Sequence, residues 1–428
     1  FGIGSGYWDP GAHGANDRGD CARALFYMAT RYSNLTLVNG QPGNLQMGDL
    51  ARLLEWHYAD PVTPFERRRN HLIYSAADNP AYYQGNRNPY VDHPELVWSV
   101  FGPGANNSRL YVGAAPAADG SSTSIVHFEV IAGAPAPLTQ VVLTKTGTHP
   151  TTYDITTLGS AVTPLAGRGH TFVGGPGSAL IPVSVASTAT PGHYSGSIII
   201  DNTDVSTGGA GMGSADGNDV ISVSLDVKAH ANASFTAGTD QNALTVDFGT
   251  VLTTAGVLSR PIQLVNLASG EPTAALDVDG VSGSGDTSVL SMDLTPVSGI
   301  PAGESITFNA LLTPAAAGAV SATYTITTSD ENLPGATTGA PLVLTLTAQV
   351  VAPTPGIAGD FDGDGDVDAD DFVHFAQCRS GPSVPQIDDG CLDADLDADG
   401  DVDLSDFGRF QRCISGMGVP ATPGCELE

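Results

Sequence analysis

The sequence has no long hydrophobic run and little positive charge. No segment of its 428 residues approaches the roughly eighteen apolar residues of a membrane-spanning helix, so we expect no membrane span. Only 16 lysines and arginines face 46 acidic residues, which disfavours general nucleic-acid binding but leaves room for a local basic groove. No signal peptide is visible and the chain starts at Phe1, so we expect residues upstream to be missing.

Cysteine is also rare, and four of the five cysteines lie near the C-terminus. We expect the disulfides Cys378–Cys391 and Cys413–Cys425, although four cysteines allow three pairings. A zinc site is the rival interpretation, for which the gaps between these cysteines are long. Disulfides imply an oxidising, extracytoplasmic setting. Cys21 lies on an apolar helical face, which predicts a buried free thiol.

A twelve-residue acidic motif occurs twice in the C-terminal region, from Asp360 to Asp371 and from Asp395 to Asp406. Aspartates at positions 1, 3, 5, 9 and 12 with glycine at position 6 have the spacing of an EF-hand calcium loop. We therefore predict two Ca²⁺ ions, and folding coupled to them. The predicted side-chain ligands are Asp360, Asp362, Asp364, Asp368, Asp371, Asp395, Asp397, Asp399, Asp403 and Asp406, with main-chain carbonyls from Asp366 and Asp401.

This region resembles a type I dockerin, in which two such loops are each followed by a helix. Here the helices are expected to begin near Phe372 and Phe407. The chain departs from the family in its 35-residue period and in having Asp at loop positions 3 and 9, where Asn is common. The resemblance implies attachment to a cohesin-like partner, and another cell-surface partner is the open alternative.

Residues 103–230 and 231–352 consist of short runs rich in Val, Ile, Thr and Ser between Gly, Pro and Asp turns. Both blocks end with a strand, an interrupting loop and a second strand. This pattern predicts two all-β sandwiches of immunoglobulin type, followed by a linker at 353–357. Since no cluster of His, Cys or paired carboxylates stands out, a spacer or adhesion role is favoured over ligand binding.

Residues 1–102 are rich in aromatic residues and arginine, contain no lysine, and are predicted to be helical. Apolar spacing predicts helices from Asp20 to Tyr32 and from Met47 to Tyr58. A third helix is predicted from Pro64 to Ala77. Thr63 is its expected N-cap, and Glu66 is expected to close a capping box.

Several stretches of this region resemble the C-terminal half of the bacterial endonuclease I family of secreted DNases and extracellular ribonucleases. They are RGDCARALFYMATRY (18–32), WHYADPV (56–62), ERRRN (66–70), QGNRNPYVDHPE (84–95) and Val97-Trp98. The resemblance implies an α-rich part of a ββα-metal fold. In that fold a histidine base activates water against a phosphodiester, and a divalent ion, usually Mg²⁺, stabilises the charge.

The family's catalytic histidine and asparagine metal ligand lie upstream of the RGDCAR stretch. Only sixteen residues precede Asp17 here, and His13 has the wrong neighbours. We therefore expect the catalytic half to be missing from this chain. The chain as it stands should show no magnesium-dependent nuclease activity.

Contacts to nucleic acid are expected from polar residues in two of the matching stretches, which offer donors suited to phosphate. They are Arg69, Asn70, Gln84, Asn86, Arg87 and Asn88. The alternative is that the loop residues brace the loop against the core. For His57 and His93 a structural role is favoured over catalysis. Arg18 and Arg23 either pair with Asp20 or face nucleic acid.

Together these features predict a secreted or cell-surface protein of several domains. A partial nuclease domain (1–102) precedes the two sandwiches, the linker and a dockerin-like calcium domain (358–428). For the intact protein we expect metal-dependent hydrolysis of DNA or RNA, with the protein tethered by its C-terminal domain. The competing hypothesis is a non-enzymatic surface or adhesion protein with a degenerate nuclease remnant.

Overall fold

A computed structural model of the chain describes residues 17–115, 117–165, 167–205, 216–353 and 356–427. Within these ranges the protein is multidomain and mostly β-sheet, with a few helices and two disulfides. The chain divides into two compact units, Phe1–Val227 and Lys228–Glu428. The finer domain boundaries stay a prediction. His13 and linker residues 354–355 lie outside the described residues.

Between residues 17 and 102 the structure has five helices and a small parallel sheet. They are α1 Arg18–Arg31, β1 Thr36–Val38, β2 Gln46–Gly48, α2 Leu50–Ala59, α3 Pro64–Tyr74, α4 Pro89–Asp92 and α5 Leu96–Phe101. The predicted start of α2 at Met47 is wrong, because Met47 pairs within the sheet. The helix begins at Leu50, where the Asp49 carboxylate accepts a hydrogen bond from the Ala51 N–H (3.2 Å) and caps it.

Helix α3 has the predicted start and an earlier end. The Thr63 hydroxyl accepts from the Glu66 N–H (3.2 Å), which confirms the N-cap. The helix stops at Tyr74, three residues before the predicted end. The reason is local: Ser75 Oγ donates to the Asp78 carboxylate (2.6 Å) and accepts from the Asp78 N–H (3.2 Å), which forms a turn in place of a further helical turn.

A buried ion pair joins α1 to α3. Arg23 is fully buried, and its guanidinium donates to both carboxylate oxygens of Glu66 (2.8 and 2.6 Å), to Asp20 (3.1 Å) and to the Asp60 carbonyl (2.8 Å). Arg23 therefore forms its ion pairs inside the protein. The Glu66 carboxylate binds Arg23 and does not close the predicted capping box. A Cβ on Gly19 would lie 2.1 Å from that Asp60 carbonyl, so the close approach requires glycine.

Two facing sheets follow. Their strands are β3 Arg109–Val112, β4 Thr123–Ile131, β5 Leu138–Thr146, β6 Thr151–Gly159, β7 Gly167–Phe172, β8 Gly177–Ser184, β9 Gly192–Asn202 and β10 Asp219–Lys228. The sheet orders are β4-β10-β9-β6-β7 and β3-β5-β8. One core draws on both sheets, with Leu110 and Leu143 from one and Ile198 and Ile221 from the other, all fully buried.

The second unit begins with another pair of sheets. Their strands are β11 Ala233–Ser234, β12 Ala243–Leu252, β13 Leu258–Asn266, β14 Leu276–Gly285, β15 Leu290–Met292, β16 Val297–Ile300, β17 Ser305–Leu312, β18 Gly318–Asp330 and β19 Leu342–Val351. The sheet orders are β11-β13-β17-β15 and β12-β19-β18-β14-β16. The predicted paired endings are present as the antiparallel pairs β9–β10 and β18–β19. The immunoglobulin type stays a prediction.

The C-terminal region has helices α6 Ala369–Cys378 and α7 Leu404–Cys413, and 3-10 turns Asp389–Ala394 and Cys425–Leu427. Both helices begin three residues before the predicted starts. Asp368 and Asp403 cap them, and the last aspartate of each acidic loop completes a capping box. Phe375 and Phe410 stack at 5.2 Å in the core between the helices.

Both predicted disulfides are present. Cys378 is bonded to Cys391 and Cys413 to Cys425, so each repeat carries its own cross-link after its helix. Cys21 is free, as predicted, but it is half-buried rather than buried. Desolvation raises the pKa of its thiol, and the neighbouring Asp20 adds to the effect.

Candidate functional site

Five of the six predicted nucleic-acid residues line one groove of about 290 Å³ in the N-terminal region. These five are Arg69, Asn70, Gln84, Asn86 and Asn88. They come from α3 and from the loop before α4, and helix α1 forms the facing wall. The structure therefore brings together two stretches that are separate in sequence.

Asn70 and Asn88 hold this groove in shape. The Asn70 side-chain amide donates to the Asn88 carbonyl (3.1 Å) and its oxygen accepts from the Asn88 N–H (2.9 Å). The Asn88 side chain in turn donates to the Arg23 carbonyl (3.0 Å) and accepts from the Tyr90 N–H (3.0 Å), which caps α4. These geometries favour the bracing role for both residues.

Arg87 does not line the groove. It forms a bidentate pair with Asp92 (2.7 and 2.5 Å) and lies over the Tyr74 ring at 5.8 Å. Its hydrogen bonds to Asp92 raise the pKa of Arg87 and lower that of Asp92. A guanidinium held this way by a carboxylate is a weaker phosphate contact than an unpaired one.

The accessible donors of the groove are fewer than the sequence predicted. Arg69 has 48% of its side chain exposed while pairing with Asp20 at 2.8 Å, and Gln84 and Asn86 are exposed. Asp20 and Tyr27 also line the groove and were missed. Their seven-residue spacing on α1 is the signal that could have placed them on one face.

His57 is a structural residue. It is buried, and its Nε2 lies 3.1 Å from the Pro94 carbonyl oxygen. Burial, with Arg23 nearby, lowers its pKa to about 3, which makes it a poor base near neutral pH. His93 is about half exposed and pairs with Glu95 at 3.1 Å.

The carboxylates of each acidic loop converge. Ligand atoms within 4.8 Å of one another form four groups, two in each loop: Asp360, Asp362 and Asp371; Asp366, Asp368 and Asp371; Asp395, Asp397 and Asp399; Asp401, Asp403 and Asp406. Backbone N–H groups orient them, for example from Gly363 (2.8 Å) and Gly365 (3.0 Å) to Asp360. Hard oxygen ligands in this arrangement suit calcium.

The side chains of Asp366 and Asp401 each leave one oxygen without a partner. One carboxylate oxygen accepts from a backbone N–H, of Gly418 and Ser383 respectively. The other is buried and unpaired among the described residues. Burial, with Asp364 and its neighbours, raises the pKa of Asp366 to about 6. Asp366 and Asp401 were predicted to contribute only main-chain carbonyls, whereas here a buried, unpaired side-chain oxygen of each lies beside other carboxylates, which also fits a bound cation.

The N-terminal residues do not offer a comparable site for Mg²⁺. Among the described residues, the groups of three acidic, imidazole or thiolate ligands that converge on one point all lie beyond residue 359. Residues 17–102 therefore do not fit a magnesium ion held by three such ligands, and no step is assigned to one there.

Comparison with known proteins supports a nuclease for the N-terminal region. A family model, Endonuclease I, matches residues 14–95. Over 93 residues the chain is 44% identical to an extracellular ribonuclease of Bacillus amyloliquefaciens and 43% identical to one of Bacillus subtilis. Each alignment covers 20% of this chain and 30% of the relative, so the chain spans less than a third of the curated relatives that it matches.

Similarity to solved structures is weak. A protein of unknown function from Porphyromonas gingivalis is similar over 56% of this chain and 96% of its own, at 14% identity and a TM-score of 0.21, which carries no argument about fold or function. In the part of the chain that the structure describes, no helix is both long enough and apolar enough to cross a membrane.

Proposed function

We propose that residues 14–95 belong to a secreted nuclease that hydrolyses phosphodiester bonds of DNA or RNA. The single observation that carries this proposal is the family match over those residues. The printed names of two relatives, both extracellular ribonucleases, support action outside the cell. The groove on α1 and α3 supports a role for these residues in holding substrate.

Within this function the described N-terminal residues position the nucleic acid and do not activate water. Arg69 offers a partly exposed guanidinium for a phosphate, and Gln84 and Asn86 offer amides. Arg23 and Glu66 act only indirectly, by fixing α1 against α3. We assign no general base among residues 17–102, because His57 is buried with a low pKa.

The test is oligonucleotide binding, measured by fluorescence anisotropy at low salt. Arg69→Ala should weaken binding about 5-fold and reduce the salt dependence by about one phosphate contact. Arg52→Ala is the matched control, because Arg52 is an arginine on another helix that pairs with Glu55. Equal affinities for all three proteins, or no binding at all, would favour the non-enzymatic surface protein.

We also propose that each acidic loop binds one Ca²⁺ and that the C-terminal region tethers the protein to a surface partner. The unpaired buried oxygens of Asp366 and Asp401 support the ion sites. Calcium would neutralise the converging carboxylates and so stabilise the region. Thermal unfolding with and without a chelator tests this: removing Ca²⁺ should lower the midpoint, and an unchanged midpoint would contradict it.

A groove of about 430 Å³ in the C-terminal region supports the proposal that this region binds a surface partner. Phe372, Leu404 and Phe407 line it, and Leu404 is 82% exposed. Binding of the calcium-loaded chain to a purified cohesin module is the direct measurement, with Leu404→Asp expected to abolish it. Retention on cells without cohesin binding would assign the tether to another surface partner.

A further inference from the structure

We propose that the outer face of the first sandwich carries a site for a divalent transition-metal ion, built from His127, His193 and Asp226. The three residues lie on β4, β9 and β10, and the sheet order β4-β10-β9 places Asp226 between the two histidines. This site is separate from the acidic loops and does not depend on the nuclease proposal.

Both imidazoles approach the same carboxylate. His193 Nδ1 lies 2.6 Å from Asp226 Oδ1, and His127 Nε2 lies 3.8 Å from Asp226 Oδ2. The register pairs His193 directly with Asp226 across β9 and β10. Since neighbouring strands are about 4.8 Å apart, the two histidine backbones are about 10 Å apart, a span that two imidazoles can close on one ion.

Ser224 supplies the outer contact that a metal-binding histidine needs. His127 Nδ1 lies 2.9 Å from Ser224 Oγ, two residues before Asp226 on the same strand. With the proton on Nδ1 donated to this hydroxyl, the Nε2 lone pair faces the carboxylate. A hydrogen bond from the second ring nitrogen of this kind fixes the tautomer of a metal-binding histidine.

The ligand set selects the kind of ion. Two imidazole nitrogens and one carboxylate suit Zn²⁺, Cu²⁺ or Ni²⁺ and not Ca²⁺. The imidazoles now face opposite oxygens of Asp226, so binding requires both rings to turn toward the midline of the carboxylate. Their exposed fractions, 52% for His127 and 73% for His193, leave them free to make this rotation.

In the structure the three ligand atoms do not yet converge on one point, in line with the expectation that no cluster of His, Cys or paired carboxylates stands out in the sandwiches. Positions 127, 193 and 226 belong to three strands that are far apart in sequence, so no local motif marks them. Only the strand order and register bring them together.

The test is calorimetric titration of the untagged chain with ZnCl₂ while Ca²⁺ saturates the acidic loops. We expect one zinc site that His127→Ala and His193→Ala each weaken at least 10-fold. His71→Ala is the matched control, since His71 is also exposed and pairs with a carboxylate, Asp78, at 3.0 Å. Zinc affinity that is unchanged in both variants, or absent in the parent, would overturn the proposal.

A second readout separates ligation from a loss of folding. The Cu²⁺-loaded chain should show nitrogen coupling from two imidazoles in its electron paramagnetic resonance spectrum, and from one imidazole in each single variant. Coupling from a single imidazole in the parent would contradict the proposal, because it would show that His127 and His193 do not bind the same ion. Unchanged thermal midpoints should confirm that the variants are folded.

Discussion

The two acidic loops share one ligand pattern but differ in what packs against them. Each loop binds the segment that follows the other repeat's helix: Val367 N–H donates to Ser415 Oγ (3.1 Å), and Val402 N–H to Ser380 Oγ (2.9 Å). These pairs are related by the 35-residue period, so the domain has an internal pseudo-twofold arrangement. In these contacts the two loops are equivalent.

The second sandwich breaks the equivalence. Thr254 Oγ1 donates to the Asp364 carbonyl (2.7 Å) within the first loop, and a Cβ on Gly365 would lie 2.4 Å from Pro353. At Gly400, the matching position of the second loop, a Cβ would meet no described atom within 4 Å. The two loops thus share their ligand spacing, whereas the contacts from Thr254 and Pro353 are present at the first loop and have no counterpart at Gly400.

Matched glycine substitutions should show the largest difference. Both glycines have positive φ, 97° at Gly365 and 92° at Gly400, so alanine strains either backbone. Gly365→Ala must also displace Pro353, and we expect it to lower the free energy of unfolding by about 3 kcal/mol, against about 1 kcal/mol for Gly400→Ala. Denaturant unfolding with Ca²⁺ present measures both. Equal losses of unfolding free energy would show that the packing against Pro353 does not contribute to stability.

Removing the last ligand of each loop should give the next largest effect. Asp371→Asn and Asp406→Asn each remove the charge of a predicted ligand that also closes a capping box. We expect about 100-fold weaker Ca²⁺ binding at the altered loop and little change at the other. Titration of each variant checks this, and a loss of both sites together would show that the loops bind as one cooperative unit.

Thr254→Val should have the smallest effect. It removes one hydrogen bond to the first loop from an exposed residue, for an expected cost of about 0.5–1 kcal/mol. Calcium affinity should fall slightly at the first loop only. An equal fall in calcium affinity at the second loop would contradict the claim that Thr254 supports only the first loop.

The features that the sequence could predict are those formed by residues close together along the chain. The disulfide pairs and the Thr63 cap each depend on residues fewer than fifteen positions apart. Such interactions leave a pattern in the sequence itself. The repeated strand endings were predictable because the same order of strand, loop and strand recurs in both blocks.

The interactions that were missed are ion pairs that the local motifs do not indicate. Glu66 has the spacing of a capping box, but its carboxylate binds Arg23, 43 residues away, because a buried guanidinium needs a charged partner. Arg87 was predicted to contact nucleic acid and instead pairs with Asp92. In each case an ion pair replaced the role that the local motif indicated.

Calorimetric Ca²⁺ titration of the parent chain tests the account of the two loops most directly. We predict two ions per chain at distinct affinities, because the packed first loop loses less conformational freedom on binding than the second. The tighter site should be the one that Asp371→Asn removes. A featureless titration, or two sites of equal affinity, would contradict the account.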